Sequence, residues 1–445
     1  MISLQRLLTS SPFIIAVCLV ALGLGRPAEA TTIERVVSPG GIEAWLVHEP
    51  SVPLIAMEFA FAGGSSQDPA GKPGVASLTA GLLDEGAGDL DSRTFRDRLD
   101  RRAIELSFND TRDYIRGSLR TLKENGGEAF DLLRLSLTQP RFDSEPLERG
   151  RNQVLSSLRR QTTSPNEIAN RRFFAAAFGA HPYGQPADGT LDSVPDITAA
   201  DLRAYAGRVL AKDNLKIAVV GDIGKDELAA LLDKTFGQLP AKSTLTPVSE
   251  IVAQTQALRI NVTVDVPQTV VFFGTPGLKR SDPDFMTSYV VNQIMSGGGL
   301  TSRLYREVRE KRGLVYAISE STLWLNHSAM VVGYTATRAD RTNDTIDATM
   351  HELKHMAAEG PTQAELDGAK AFLNGSQMLS LDTSSKIAGA LLQYQLDGLG
   401  IDYIDKRAAI INAVTLDDAK RVAKKLWGQQ FLTVAVGRIA QPTKD

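Results

Sequence analysis

The residues best placed to do chemistry lie in one stretch, 297–316, which reads GGGLTSRLYREVREKRGLVY. Leu304 and Val308 are four residues apart, which predicts one apolar face of a helix that a glycine then ends. Arg309 and Tyr316 stand on either side of that turn. A guanidinium group and a phenol hydroxyl are both suitable donors to a developing oxyanion. The pair is therefore a candidate for oxyanion stabilisation, and the alternative is a surface helix with solvated arginines and a tyrosine in the core.

A second candidate is the sequence HELKH at 351–355, which fits the HExxH pattern in which two histidines bind zinc and a glutamate activates water. The metzincin form of this motif continues with a glycine and a histidine, but this chain has Ala358 and Pro361 at those positions. Nor does a glutamate stand where other HExxH enzymes place their third ligand. We expect a solvated helix face here, and keep an independent zinc peptidase that uses His351 and His355 as an alternative.

The stretch 297–316 resembles the C-terminal-half signature of the pitrilysin/insulinase family of zinc peptidases, the inverzincins, which include the mitochondrial processing peptidases. The resemblance implies that Arg309 and Tyr316 contact the peptide carbonyl at the cleavage point. It also implies a glycine-rich, substrate-binding loop formed by Gly297, Gly298 and Gly299. Over 31–440 it implies two α+β domains of similar fold that face each other across a cleft.

The zinc site of this family lies in the other half of the molecule, where this chain departs from the pattern. Catalytic members carry His-x-x-Glu-His on a helix, and a later helix supplies a glutamate as third ligand. The matching positions hold groups that can neither bind zinc nor accept a proton: Ser77 and Gly81 for the histidines, Ala80 for the general base and Ser157 for the third ligand. We therefore expect no metal and no cofactor in this chain.

The resemblance implies a division of labour between two subunits. The chain would be the non-catalytic, zinc-less subunit of a heterodimeric metallopeptidase, binding the peptide substrate and polarising its carbonyl. Its partner would be a homologous subunit that carries HxxEH and the zinc. The first alternative is a periplasmic binding or scaffold protein without a peptidase role, and the second is the zinc peptidase built on His351 and His355.

The composition and the N-terminal sequence indicate what class of protein this is and in which compartment it acts. The 445 residues carry a net charge of −3, with 43% apolar and 23% charged residues, which predicts a globular chain and gives no sign of a nucleic-acid partner. Residues 1–30 read as a secretory signal, with Arg6 before a short apolar run and an Ala-Glu-Ala cleavage site. We expect a periplasmic or secreted protein with no stable membrane anchor after processing, a retained segment being the alternative. Cys18, the only cysteine, lies in this segment.

The rest of the chain is predicted to be an internal duplication. The sequences at 198–223 and 415–439 both read as a helix followed by an apolar strand that runs into a glycine. This predicts an N-terminal domain at 31–237 and a C-terminal domain at 258–445, joined by a polar linker at 238–257. Strands precede helices in each half, which favours an α+β fold with an antiparallel or mixed sheet and helices packed on one side.

Local patterns predict how each domain begins. Residues 44–48 and 54–61 are apolar runs that predict the two strands of a hairpin, and a helix is expected at 75–83. The second domain is predicted to repeat this order, with a helix at 285–295.

Overall fold

The computed structural model describes residues 32–256 and 258–439. The predicted signal peptide, with Cys18, lies outside the described residues. Two α+β units follow one another along the chain, each built on one mixed sheet, as the sequence predicts. Within the described ranges, no helix combines the length and the apolar character needed to cross a membrane.

The first unit contains six strands and seven α-helices among the described residues. The strands are β1 Ile33–Val37, β2 Glu43–His48, β3 Leu54–Ala62, β4 Glu105–Asp110, β5 Tyr114–Leu122 and β6 Leu215–Gly221. The helices are α1 Val75–Ala80, α2 Ser92–Arg101, α3 Gly126–Thr138, α4 Ser144–Gln161, α5 Pro165–Phe178, α6 Ala199–Val209 and α7 Lys225–Phe236. The strand order is β1-β2-β6-β3-β5-β4, so that β4 is an edge strand.

The second unit repeats this plan. Its strands are β7 Arg259–Thr263, β8 Gln268–Pro276, β9 Val315–Trp324, β10 Ala329–Arg338 and β11 Leu432–Gly437. Its α-helices are α8 Phe285–Asn292, α9 Thr342–Glu359, α10 Gln363–Leu379, α11 Ser384–Leu396, α12 Tyr403–Asn412 and α13 Leu416–Trp427. Two π-helical segments, Gln293–Gly297 and Tyr305–Glu310, replace regular helix around the glycine run.

Strand order shows that the duplication extends to topology. The second sheet runs β7-β11-β8-β10-β9, which is the order of the first sheet without β1. In each sheet one pair is parallel, β2 with β6 and β7 with β11, and the other pairs are antiparallel. The two halves of the chain therefore share one fold, as the sequence predicts.

The predicted hairpin of 44–48 and 54–61 is wrong. Both segments are strands, β2 and β3, but β6 lies between them, parallel to β2 and antiparallel to β3. The connection at 49–53 contains two prolines and no tight-turn sequence, so it spans one strand width instead of closing a hairpin. The helix predicted at 75–83 is also shorter, since α1 ends at Ala80 and leads into turns.

One face of each sheet packs against helices of its own half. In the first half, buried aromatic rings fill this core, with the rings of Phe59 and Phe236 edge-to-face at 5.8 Å. In the second half, Phe273 and Trp427 occupy the equivalent layer with side chains of α9 and α13. Both cores are continuous, so each half can position side chains rigidly at its surface.

The other face of each sheet is covered by a helix from the opposite half. Helix α5 of the first half lies on β8 and β11, where Phe173 is fully buried. Its ring is so close that a Cβ on Gly274 would lie 2.6 Å from the Phe173 Cζ atom. Helix α11 of the second half lies on β3 and β6, burying Leu391 and Leu392. Gln395 on α11 also donates a hydrogen bond of 2.8 Å to the Ile217 carbonyl. We call this arrangement the helix exchange.

Replacing Phe173 with alanine tests the helix exchange. Loss of a fully buried ring should lower the free energy of unfolding by about 3–5 kcal/mol in a denaturant titration. Hydrogen exchange should show the loss of protection in β8 and β11, although the substituted residue belongs to the first half. Phe372→Ala is the control, since that ring is 53% exposed. Loss of protection confined to the first half would contradict the exchange.

Candidate functional site

The positions that the resemblance assigns to zinc ligands lie on one cavity. An open cavity of about 310 Å³ separates α1 from α4, and Ser77, Gly81 and Ser157 all line it. Ala80, at the general-base position, does not line it; its side chain is buried in the first core with 1% exposure. The fold thus brings Ser157 on α4 next to Ser77 and Gly81 at α1, although Ser157 lies far from them in sequence. We call this space the α1–α4 cavity.

Local geometry explains how α1 presents these residues. The helix begins after Gly74, whose φ of +101° favours glycine, and Asp68 accepts hydrogen bonds from the backbone N–H groups of Gly74 (2.8 Å) and Ala76 (2.7 Å). The spacing of four residues places Ser77 and Gly81 on the same side of the helix. Gly81 has an ordinary helical φ of −68°, so the backbone does not require glycine there.

The lining of the α1–α4 cavity does not fit zinc. Its walls combine aliphatic side chains with uncharged polar groups, and Asp188 is the one charged side chain among the described lining residues. A hydroxyl group or a glycine does not replace an imidazole ligand. In the part of the chain that the structure describes, no cluster of three or more His, Cys, Asp or Glu side chains is arranged to hold a metal ion.

Two partly buried carboxylates lie near α1. Burial raises the pKa of Asp68 to about 7, although its two backbone hydrogen bonds act in the opposite direction. Burial, and then the negative charge of Asp188, raise the pKa of Asp110 to about 6, while the Ser77 hydroxyl and Arg112 lower it. Asp110 and Asp188 therefore repel one another, and the Arg112 guanidinium lies close enough to attract both.

In the second half, the structure brings Arg309 and Tyr316 together. The guanidinium carbon of Arg309 lies 5.6 Å from the centre of the Tyr316 ring and 4.6 Å from that of Tyr305, whose hydroxyl it also contacts. Leu304 and Val308 are fully buried, as the sequence predicts for one apolar face. Tyr316 is 86% exposed, so it is not a core residue. Tyr316 thus presents its hydroxyl to the outside of the described chain, and the half-buried Arg309 lies against its ring.

The glycine run forms an exposed loop next to a second cavity. Gly297 ends a π-helical turn, Gly298 lines the cavity of about 260 Å³, and Gly299 adopts a left-handed φ of +56°. Leu300 is 67% exposed at the loop tip. The cavity lies against α10, as the first lies against α4, so the two occupy similar places in the duplicated fold.

A buried ion pair supports this loop. Arg303 is 6% exposed and makes two hydrogen bonds of 2.7 Å to the Glu365 carboxylate. Burial opposes ionisation of Glu365, but the Arg303 guanidinium and the hydrogen bonds from Thr362 together outweigh it and lower the pKa of this carboxyl to about 2. Arg303 is therefore a structural residue and not one of a set of solvated arginines.

The HELKH sequence has a structural role in this fold. His351 and His355 are exposed, with ring centres 6.4 Å apart. Glu352 is 6% exposed; its Oε1 atom lies 3.5 Å from Arg303 Nη1, and its Oε2 atom lies 3.6 Å from His355 Nδ1. A buried carboxylate that already faces an arginine and one of the two histidines is poorly placed to activate water between them. This geometry weighs against the peptidase alternative built on this motif.

Sequence reasoning missed Glu320, a buried carboxyl group beneath the glycine loop. It accepts hydrogen bonds from Asn292 Nδ2 (2.9 Å) and Trp427 Nε1 (3.1 Å), and its backbone N–H donates to Ser296 Oγ (2.6 Å). Burial raises the pKa of Glu320 to about 8, so this group is mostly a neutral acid at pH 7. The hydrogen bonds of Glu320 connect β9, which carries Tyr316, to the segment that leads into the glycine loop. Glu320 is the one charged residue of β9, and this was the signal that the sequence offered.

Comparison with known proteins supports the family resemblance. Residues 45–191 match the model described as insulinase (peptidase family M16), and 196–373 match the model described as peptidase M16 inactive domain. The chain is 27% identical over 396 residues to the non-peptidase homolog YmxG of Helicobacter pylori, covering 88% of this chain and 90% of that protein. It is 24% identical over 400 residues to the uncharacterized zinc protease YmxG of Bacillus subtilis, covering 90% and 97%.

Solved structures agree with this assignment. A peptidase M16 inactive domain from Pseudomonas fluorescens superposes with a TM-score of 0.86 at 27% identity, covering 92% of this chain and 99% of that one. A protease from Helicobacter pylori has the same fold, with a TM-score of 0.82 at 20% identity over 92% and 99% of the two chains. The family models match both halves of the chain, and the duplicated topology and the glycine-rich segment agree with them. The chain therefore belongs to the insulinase family of peptidases, family M16.

Proposed function

We propose that this chain is the non-catalytic subunit of a heterodimeric M16 peptidase. The observation that carries the proposal is the α1–α4 cavity, where three ligand positions converge but hold Ser77, Gly81 and Ser157. In this proposal a homologous subunit with an HxxEH helix supplies zinc and the general base. The name of the Helicobacter pylori relative, a non-peptidase homolog, is consistent with the loss of these groups.

Exposure supports a contribution of the second half to a partner's site. Tyr316 is exposed with the half-buried Arg309 against its ring, and Leu300 is exposed on the glycine loop. Exposed apolar groups around donors are typical of a surface that another molecule covers. In the complex, Tyr316 and Arg309 would donate hydrogen bonds to the carbonyl oxygen of a peptide as charge develops on it.

The first sheet offers a way to hold the peptide. Strand β4 is at the sheet edge, so its outer backbone groups have no strand partner among the described residues. An extended peptide can add to such an edge through main-chain hydrogen bonds. Asp110 ends this strand and interacts with Ser77 on the α1–α4 cavity, so a peptide on β4 would pass this cavity.

The rival function is a binding or scaffold protein without a peptidase role. A protein with this function would have the same peptide-binding surface, but Arg309 and Tyr316 would not act in it as paired hydrogen-bond donors. In either case we propose a periplasmic or secreted location, on the strength of the signal-like residues 1–30.

Restoring ligands tests whether the cavity is the former zinc site. The variant with Ser77→His, Gly81→His and Ser157→Glu should bind stoichiometric zinc, because all three positions line one cavity and Gly81 has a backbone conformation that histidine can adopt. Hydrolysis should not follow, since Ala80 supplies no base. The matched control places the glutamate at Ser156, which is exposed next to Ser157 on α4. Failure of the folded triple variant to bind zinc would contradict the assignment.

Tyr316→Phe tests the role of the paired donors. In a heterodimer with the HxxEH-bearing homologue from the same genome, loss of one hydroxyl should lower kcat by roughly 10²–10³ with little change in KM. Arg309→Lys should also be impaired, because lysine lacks the planar fork.

Arg312→Lys is the control, since it keeps an exposed cation on the same segment. Size-exclusion chromatography and zinc content must show that each variant complex is intact. Full activity of Tyr316→Phe in such a complex would favour the scaffold function.

A further inference from the structure

We propose that Glu320 holds the glycine loop, residues 297–301, against β9 only while its carboxyl is protonated, and that ionisation of this carboxyl releases the loop. The inference concerns the chain by itself, so it does not depend on a partner subunit or on a bound peptide. It makes the conformation of this exposed loop sensitive to pH.

Glu320 connects three segments that are separate in sequence. Asn292, the last residue of α8, donates from Nδ2 to Glu320 Oε1 at 2.9 Å. The indole of Trp427, at the end of α13, donates to Oε1 at 3.1 Å and to Oε2 at 3.3 Å. The Glu320 backbone N–H donates to Ser296 Oγ at 2.6 Å, within the π-helical segment before the loop. Both ends of 292–296 are therefore bonded to one residue of β9.

The loop has weaker anchors of its own. The N–H of Gly298 donates to the Gln293 carbonyl at 3.0 Å, a bond that shapes the segment locally without fixing it to the sheet. Leu300 is 67% exposed, and the second cavity leaves open space beside the loop. The Arg303–Glu365 pair holds the chain after the loop, so the hydrogen bonds to β9 are what hold the chain before it.

An ionised Glu320 would lack a counterion in the described part of the chain. Besides burial, the influences on its pKa are the hydrogen bonds from Trp427 and Asn292, which are neutral donors. Residues 285–297 include no acidic or basic side chain, and the β10 residue opposite Glu320 is Gly333. The charged residues of α13 are exposed or half-buried, namely Asp417, Asp418, Lys420, Arg421, Lys424 and Lys425. A buried charge without a partner is costly, and admission of water to it would relieve the cost.

Burial also sets the direction of the pH dependence. In the held conformation burial raises the pKa of Glu320 to about 8, whereas a carboxyl that a released loop leaves in water has its ordinary pKa of about 4.5. Between these two pH values the held conformation binds one more proton than the released one. The held conformation is therefore most favoured below about pH 4.5. Its advantage falls about tenfold per pH unit as pH rises and levels off above about pH 8.

Hydrogen exchange of the mature chain tests this pH dependence. Protection factors, corrected for the intrinsic effect of pH on exchange, are measured by mass spectrometry for peptides that cover 292–302. We expect protection to fall by up to about tenfold per pH unit between about pH 5.5 and pH 8, and then to level off. Peptides from β11, which carries no ionisable side chain, are the internal reference. Constant protection of 292–302 over this range would overturn the proposal.

Two matched variants identify the group responsible. Glu320→Gln keeps the size of the side chain and an acceptor oxygen but cannot ionise, so the loop should stay protected at every pH. Glu310→Gln removes an exposed carboxyl on the segment after the loop and should keep the pH dependence of the unsubstituted chain. Loss of protection with rising pH in folded Glu320→Gln would contradict the proposed role of this carboxyl.

Two further measurements apply even if Glu320→Gln does not fold. Because Trp427 donates to the carboxyl, the tryptophan fluorescence of the unsubstituted chain should show a transition with its midpoint near pH 8, and absence of this transition would overturn the proposal. Ser296→Ala removes the acceptor of the Glu320 N–H and should lower protection of the loop about tenfold at low pH. Unchanged protection in this variant would show that contact with β9 does not hold the loop.

Discussion

The helix exchange is the interaction on which the rest of the structure depends. Helices α5 and α11 each cover the sheet of the opposite half, so neither half has a complete core alone. Each exchanged helix directly follows a helix that borders a cavity: α4 leads into α5, and α10 into α11. Packing of Phe173 and Leu391 on the opposite sheets therefore also fixes the positions of α4 and α10, and with them both cavities.

The duplicated fold has diverged in its chemistry. In the first half, small residues stand on the α1–α4 cavity at the positions that the family resemblance assigns to zinc ligands. In the second half, Tyr316 is exposed beside the half-buried Arg309, and Glu320 and the Arg303–Glu365 pair hold the adjoining segments in place. In the proposed function, the first half would hold the peptide and the second would contact its carbonyl, while a partner would supply hydrolysis.

The sequence was sufficient to predict the duplication, the α+β class and the family, because periodicity and the glycine-rich motif are local signals. It did not predict that β6 separates β2 from β3, since strand order depends on contacts between distant segments. The helix exchange was missed for the same reason: nothing in the local sequence of α5 shows which sheet the helix will cover. Glu320 acquires its raised pKa from burial, and Asp110 from burial and its neighbour Asp188, which only the folded chain defines.

The central claim is that this chain holds a peptide without hydrolysing it. Metal analysis of the purified mature chain, combined with a peptidase assay with and without a chelator, tests it most directly. The account predicts no stoichiometric zinc and no hydrolysis, because Ser77, Ala80, Gly81 and Ser157 stand at the positions that the family resemblance assigns to the zinc ligands and the general base. One tightly bound zinc per chain with chelator-sensitive hydrolysis would contradict it, and loss of that zinc in His351→Ala would place the active site at the HELKH sequence.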